Sequence, residues 1–481
     1  MSSIKKNVVY SSILTVSGYL FPLITFPYVT RVLGVNNIGI CNFVDSIVQY
    51  FIYFSMMGIT TIGIREIARV KGDKKQLSKT FNNLLFLNLT ATIIAIILLL
   101  LAILFVPQLY EHKSLFYIGA AKVLANTLLV EWLFKGLEDF KYITTRSIII
   151  RALYVVSVLV FVKTADDYLL YFFLTSFMVV LNAIVNLLYS KKFVCISLKE
   201  INFTPYVKSF LILGTYMLLT SMYTTFNVAY LGFVTNTVEV GYYTTATKLF
   251  AIILSFYSAF TGVMMPRMSA LLGEGKIEEF KRLTNKSVDL LFAFVIPIII
   301  ITEFCTPEII RIVAGEGYEG AIMPMRIVMP LMLICGYEQI LVLQMLSPMK
   351  KDTAILRNSI IGASVALLSN IILVPLFASS GTAVVWVISE IAVMISAQYF
   401  VKKYIDYSMP IKGVLVRVIN VIPIVLLSYL CIRHIDNGLI ALVVISLISF
   451  IGWLGIEYYV LENTLLRDNL VTIWSKFRNK K

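Results

Sequence analysis

The sequence predicts an all-α polytopic membrane protein, and three observations carry that expectation. Fourteen long apolar stretches recur along 481 residues, joined by loops too short to be domains. Hydrophobic residues make up 59% of the chain, with a mean hydropathy of +0.87. A bilayer core of roughly 30 Å consumes about twenty apolar residues per helix, and the stretches meet that need repeatedly. Finally, most of the 41 Lys and Arg fall in alternate loops and the residues flanking them, as the positive-inside rule requires.

Helices are expected near residues 8–33, 38–63, 80–106, 114–136, 147–163, 168–189 and 209–233. Seven more follow near 241–265, 287–305, 323–347, 358–378, 382–402, 413–432 and 438–460. The first stretch runs from Val8 with no small-residue cleavage pattern before Arg31, so a spanning helix is expected there rather than a cleaved leader. An even count with the N-terminus inside places both termini in the cytoplasm. The same charge bias explains the net charge of +14. Arg65, Arg69, Lys71, Lys74, Lys75 and Lys79, like Lys276, Lys281, Arg282 and Lys286, adjoin helix ends. They suit the lipid bilayer's anionic inner leaflet, and no nucleic-acid partner is implied. The tail mixes Leu465, Leu466, Leu470, Val471, Trp474 and Phe477 with Arg467, Lys476, Arg478 and Lys480; it reads as a basic amphipathic segment on the inner surface.

Cys41, Cys195, Cys305, Cys335 and Cys431 are mutually isolated, with no CxxC pair, so no disulfide framework or thiolate metal site is expected. The two histidines, His112 and His434, sit at expected outer loops and suggest no metal centre. No cofactor is expected.

The punctuation of the chain contains a repeat. Leu33-Gly34 and Ile38-Gly39 join the first helical pair, and Leu231-Gly232 and Val240-Gly241 join the seventh and eighth. Farther on, the segment from Gly72 to Lys79 resembles that from Gly275 to Arg282, and Arg146 corresponds to Arg357. Six helices per unit return the chain to its starting side, so the units are expected as parallel repeats about an axis along the membrane normal. The expected organisation is an N-lobe at 1–190, a cytoplasmic linker at 191–208, a C-lobe at 209–403, helices 13 and 14 at 404–460 and a basic tail at 461–481.

Charge inside a membrane is costly and needs a reason. Lys248 lies within helix 8 on a stripe with Thr244, Ala251, Ser255, Ser258 and Gly262, all small or hydroxylated. On helix 2, Asn42, Asp45 and Gln49 recur at i, i+3 and i+7, one helical face. Counted from Gly39 and Gly241, Asp45 and Lys248 lie at nearly equal depth, and the expectation is that they face one another across a central cleft. Helix 7 aligns Tyr216, Thr220, Tyr223 and Asn227. Such a face suits sugars, which offer hydroxyls together with apolar C–H surfaces, and it also suits ordinary membrane packing.

Helix 4 adds Lys122 and Asn126, with Glu131 half a turn round and read as structural. Arg31 and Arg326 lie near the outer surface, where either could snorkel; Arg31 shares its helix with Pro22 and Pro27, and broken helices line cavities. Glu303, Glu338 and Glu390 could relay a proton, hold a cation, or pair with a neighbouring helix. The cations together suit a diphosphate, which a low-dielectric site attracts far more strongly than water does.

Enzyme signatures are absent from the sequence. It has no Walker-type phosphate loop, HExxH or nucleophile elbow, and its longest outer loop, near 306–322, is too short for a glycan polymerase or transferase site.

The stretch Phe26-Pro27-Tyr28-Val29-Thr30-Arg31-Val32-Leu33-Gly34, followed by Ile38-Gly39 and the segment Gly63-Ile64-Arg65-Glu66-Ile67-Ala68, resembles the N-terminal signature of Wzx-type O-antigen flippases. The likeness continues through Gly136 to Ile143, Gly241-Tyr242-Tyr243, Pro266 to Ser269, Glu279 to Arg282 and Pro307 to Ile310. It implies the fold of the multidrug/oligosaccharidyl-lipid/polysaccharide exporter superfamily: two six-helix lobes and two further helices in a bacterial inner membrane. The implied cargo is an undecaprenyl-diphosphate-linked oligosaccharide, moved by alternating access, beside a polysaccharide polymerase and a chain-length regulator.

In that superfamily lipid-linked glycan flippases hold the diphosphate with basic residues on helices 1 and 8, which match Arg31 and Lys248; Lys122 is expected to assist. Lys248 gives a point charge where flippases of peptidoglycan precursors have a bidentate arginine. Tyr216, Tyr223 and Asn227 are expected to touch sugar, and Asp45, Glu338 and Glu390 to couple an ion. The alternatives are a cation-coupled multidrug antiporter of the same superfamily, which favours an anionic lumen, and a membrane glycan polymerase.

Overall fold

The computed structural model describes residues 4–197, 201–222 and 224–461, and among them every regular element is helical. Nine of the helical runs are long and apolar enough to cross a membrane, or up to twelve when each bent pair is taken as one span. Two runs, Ile13–Val70 with 58 residues and Asp352–Ile405 with 54, exceed any single crossing, since 54 residues at 1.5 Å each make about 80 Å. Both break within the run, the first also at the turn Met57–Gly58 that separates off Ile59–Val70. Gly34 (φ 73°, ψ 169°) interrupts the first run, a conformation open to glycine because it has no Cβ. Ala378 (φ 47°, ψ −125°) interrupts the second; the next amide, Ser379 N–H, donates to Glu239 Oε2 at 3.0 Å, supplying the acceptor a helix start lacks.

The chain folds as two compact units. The first comprises the chain up to Thr244 with Ala314–Gly317 and Ala366–Thr382, and the second Thr245–Val313, Tyr318–Val365 and the chain from Ala383 onward.

In the first unit Ile59–Val70 packs on the short helix Glu131–Gly136 around Ile59, Ile62, Ile67, Phe81, Trp132 and Phe134, all fully or almost fully buried. Glycines permit this closeness: a Cβ on Gly63 would sit 2.6 Å from the Trp132 ring, and one on Gly136 2.7 Å from Ile67 Cβ. The Ile67–Gly136 approach joins two segments of the resemblance, and beside it Lys71 pairs with Glu138 at 3.2 Å.

Helix starts lie earlier than hydropathy suggests. Asp73 accepts from Lys75 N and Gln76 N, starting the third helix at Lys74 instead of residue 80. Asp139 accepts from Tyr142 N and starts the fifth at Phe140 instead of 147. Aspartate at the N-cap satisfies amides that have no intrahelical partner, which lets polar first turns join an apolar span.

In the second unit the helix Ile277–Val313 carries Pro297 and Pro307 and leaves helical geometry at Cys305. Arg417, on Ile411–His434, reaches Asp289 at 2.8 Å and Glu457 at 3.0 Å. It thereby ties both of the final long helices to Ile277–Val313. A second polar chain runs from Tyr337 OH to Gln398 Oε1 (2.5 Å), from Gln398 Nε2 to the Tyr407 carbonyl (2.8 Å) and from Tyr407 OH to Asn285 Oδ1 (2.8 Å).

Candidate functional site

Asp45 stands on the helical leg that follows Gly34. Lys122, on Lys113–Leu128, donates to its carboxylate. The lysine side chain is 13% exposed and the carboxylate 44%, so the cation is the better-shielded partner. Tyr154 and Tyr171, hydrogen-bonded to each other, lie close enough to interact with this carboxylate and with Cys41. Both tyrosines come from the neighbouring helices Phe140–Phe161 and Tyr168–Ser190. An ion pair inside a membrane helix bundle marks a functional position by default, and here it lies among hydroxyl groups.

Depth counted from the two glycines puts Lys248 level with Asp45; within the first unit the carboxylate is paired with Lys122. Two members of the expected diphosphate and ion-coupling sets therefore neutralise each other. One turn before Asp45, Asn42 Nδ2 donates to Thr244 Oγ1 at 3.0 Å.

Arg31 is exposed and donates to the Pro27 carbonyl at 2.6 Å. Its stem lies against Gly315 (φ 93°), where a Cβ would meet Arg31 Cγ at 2.9 Å.

The expected sugar-facing stripe does not form one face. Thr204–Ser221 and Thr225–Val234 are separate helices inclined by 56°, so the periodicity that aligned Tyr216 with Asn227 is lost between them. Tyr216 is 36% exposed and Asn227 is fully buried. Asn227 accepts from Asn370 Nδ2 at 2.8 Å and also interacts with Tyr243, which makes it part of a polar knot in the core. Tyr223, like the basic tail beyond residue 461, lies outside the described residues.

In the second unit Lys248 is half-buried on Thr237–Gly273. That helix bends by 41° between Thr237–Ser255 and Phe260–Gly273. Ser255, Ser258 and Thr261 each donate to a carbonyl three or four residues back, a pattern that bends helices, so Gly262 leaves the stripe expected around Lys248. Glu338 and Glu390 are brought together, with an electrostatic interaction between them. Glu390 is 7% exposed, accepts from Trp386 Nε1 at 3.1 Å and contacts the Cys335 thiol. Two carboxylates sharing one enclosed site cannot both be ionised there cheaply. Glu303 interacts with Arg326. A separate cavity of about 710 Å³, lined by residues including Glu308, Arg311, Asp436 and Asn437, contains none of the expected site residues.

Glu131, read as structural, pairs with Arg146 at 2.6 Å and Lys135 at 3.5 Å. Arg151 of the same region escapes the sequence pattern, because a helix taken to begin at 147 puts that residue at the membrane edge.

A family model described as "Polysaccharide biosynthesis protein" matches residues 4–272, more than half of the chain. The chain belongs to the polysaccharide biosynthesis protein family. Members of this family include the flippases that the N-terminal motifs resemble. A proposed O-antigen transporter of Escherichia coli (strain K12) is 25% identical over 350 residues, covering 72% of this chain and 83% of that protein. One of Shigella dysenteriae, described in the same words, is 24% identical over 400 residues, covering 81% and 98%.

Among solved structures, the lipid II flippase MurJ in an inward closed conformation superimposes with a TM-score of 0.79 at 14% identity, covering 94% of this chain and 99% of that one. An inward-facing multidrug resistance MATE family transporter of the MOP superfamily gives 0.62 at 16%, covering 80% and 94%. The fold is therefore that of the superfamily named by the sequence resemblance. The protein is a multi-pass membrane protein of its flippase and transporter class.

Proposed function

We propose that the protein flips undecaprenyl-diphosphate-linked oligosaccharide repeat units, of O-antigen or a related surface polysaccharide, from the cytoplasmic to the outer leaflet of a bacterial inner membrane. The observation that carries this reading is the family match over residues 4–272, joined by two relatives described as O-antigen transporters. The lipid diphosphate enters from the chemistry of Arg31 and Lys248, cations that suit a phosphate group where water is scarce. Alternating access delivers the head group while the prenyl tail stays in lipid.

We assign fourteen crossings, each overlong run dividing at its break, with both termini cytoplasmic and two parallel six-helix lobes at 1–190 and 209–403. Lys122 serves this scheme as the partner of Asp45, released when a diphosphate competes for it. Glu338 and Glu390 supply ion coupling, and that carboxylate pair is also what favours the second reading, a cation-coupled multidrug antiporter.

The deciding experiment is deletion of the gene with complementation by wild type or Lys248→Ala, reading surface glycan and the lipid-linked intermediate. Loss of polymer with accumulation of the undecaprenyl-linked unit, rescued by wild type alone, supports flipping and the cationic site. Intact export with no intermediate sinks the reading and directs the work to efflux of organic cations.

A further inference from the structure

We infer that Arg151 is a binding residue for the diphosphate, at mid-membrane depth in the first unit. The inference rests on the flippase reading above for the identity of the anion, and on the following geometry for the site.

Arg151 is the twelfth of 22 residues in the helix Phe140–Phe161, which puts it about 16 Å from either end at 1.5 Å per residue. Its helix shows lipid a stripe of Ile149, Leu153, Val156 and Val160, each more than half exposed. At 100° per residue Arg151 projects about 200° away from Ile149, so it belongs to the protein-facing side. Snorkelling to a membrane surface therefore does not account for it.

Neither does an ion pair. Arg146, one and a half turns earlier, bonds Glu131, Asn186 and Ser147, and Arg417 bonds Asp289 and Glu457. Each of these intramembrane guanidinium groups meets a carboxylate. Among the described residues Arg151 meets none: its Nη1 donates to the Leu14 carbonyl at 3.0 Å and to Ser17 Oγ at 2.5 Å. The charges acting on it are Glu131 and Arg146, and Glu131 is already engaged by Arg146 and Lys135.

Both hydrogen bonds use one nitrogen. Nε and Nη2 make none among the described residues, yet neither is among the buried side-chain atoms left without a partner, so this edge reaches accessible space. It is the edge on which two parallel N–H groups match two oxygens of a phosphate. Leu14 and Ser17 hold the guanidinium by its far corner and leave the fork presented.

The test measures binding of undecaprenyl diphosphate to full-length protein in phosphatidylcholine nanodiscs. Wild type binds; Arg151→Gln weakens binding at least about ten-fold, and Arg151→Lys, which keeps the charge and loses the fork, about three- to five-fold. Ser17→Ala, which removes one tie to the first helix, leaves affinity within about two-fold even where it lowers the melting temperature. A purely structural Arg151 gives the reverse pattern, with melting shifted in all three variants and affinity unchanged, and overturns the inference. If Arg151→Gln does not fold, Arg151→Lys decides, and wild-type affinity there is fatal. Displacement of the ligand by phosphatidylglycerol nanodiscs at equal strength makes this an anionic-lipid site and also overturns the assignment. Should Arg31→Gln and Lys248→Ala weaken binding while Arg151→Gln does not, the flippase reading survives and this inference falls. Absence of binding to wild type removes both.

Discussion

Gly39 and Gly241 hold two helices at backbone contact, and they do so reciprocally. A Cβ on Gly39 would lie 1.7 Å from the Thr237 carbonyl oxygen, and one on Gly241 would lie 2.4 Å from that of Val35. Val35 stands four residues before Gly39, and Thr237 four before Gly241. One turn beyond, Asn42 bonds Thr244 across a separation of 202 residues, the same offset that relates the glycines. Each position thus meets the partner of its partner, as a two-fold relation demands. The crossing gives a physical reason for glycine at both positions, since small residues let membrane helices approach backbone to backbone.

Gly39→Ala should therefore destabilise the protein by about 3 kcal/mol, the upper range for overpacking. The colliding atom is a backbone oxygen that cannot swing aside. Gly262, with nothing within 4 Å of its missing Cβ, is the matched control; Gly262→Ala should leave stability unchanged or raise it slightly. Thermal unfolding of the detergent-purified proteins checks both, and an unperturbed Gly39→Ala would contradict the crossing.

The Asp45–Lys122 pair predicts an asymmetry. Asp45→Asn strands an ammonium that is 13% exposed, whereas Lys122→Met strands a carboxylate that is 44% exposed and can still be solvated. Unpaired charge costs more where it is more enclosed, and exposure screens the rest. The expected losses are about 2 kcal/mol for Asp45→Asn and about 1 kcal/mol for Lys122→Met, with the double variant regaining most of the stability. Transport should stay impaired in all three, because the double variant restores packing without restoring a cation. A double variant that exports glycan normally would remove the pair from the mechanism.

The spans were legible because hydropathy integrates over twenty residues and survives local exceptions. Their starts were not, since Asp73 and Asp139 cap polar first turns that no apolar window admits. The same displacement concealed Arg151. Among site residues, the sequence put Asp45, Lys122, Glu338 and Glu390 inside the membrane, and chemistry alone made them candidates. Which charge meets which is a matter of helix neighbours, so depth alone did not reveal the pairing of Asp45 with Lys122. Tyr216 and Asn227 align only on one straight helix, and the 56° bend between them undoes it.

Arg417 should be the most sensitive residue of the last helices. Its side chain is 8% exposed, that of Glu457 is fully buried and that of Asp289 is 36% exposed. Arg417→Met leaves Glu457 enclosed with its counter-ion gone, at a cost of about 3–5 kcal/mol. Adding Glu457→Gln should recover much of it. Limited proteolysis of membranes, reading cleavage near 406–410, and thermal unfolding together check this; equal stability of wild type and Arg417→Met would rule out the triad as the tie between Ile277–Val313 and the helices that follow.

His112 gives the fold a pH dependence whose sign follows from its surroundings. The ring lies between Pro107–Glu111 and Lys113–Leu128 and meets Phe43 edge-on, with ring centroids 6.4 Å apart. Burial holds its pKa below the ordinary 6.5, against a smaller opposing effect from Glu111. The unfolded chain therefore binds a proton more readily than the folded one in the window just below pH 6.5, and stability increases with pH wherever that is so. The contribution of His112 is complete above pH 6.5 and is lost as the pH falls toward the depressed folded value. His112→Phe, which keeps a ring against Phe43 and cannot protonate, should flatten the melting temperature between pH 5 and 7 while matching wild type near pH 8. An unchanged slope in His112→Phe would show that other groups set the acid sensitivity.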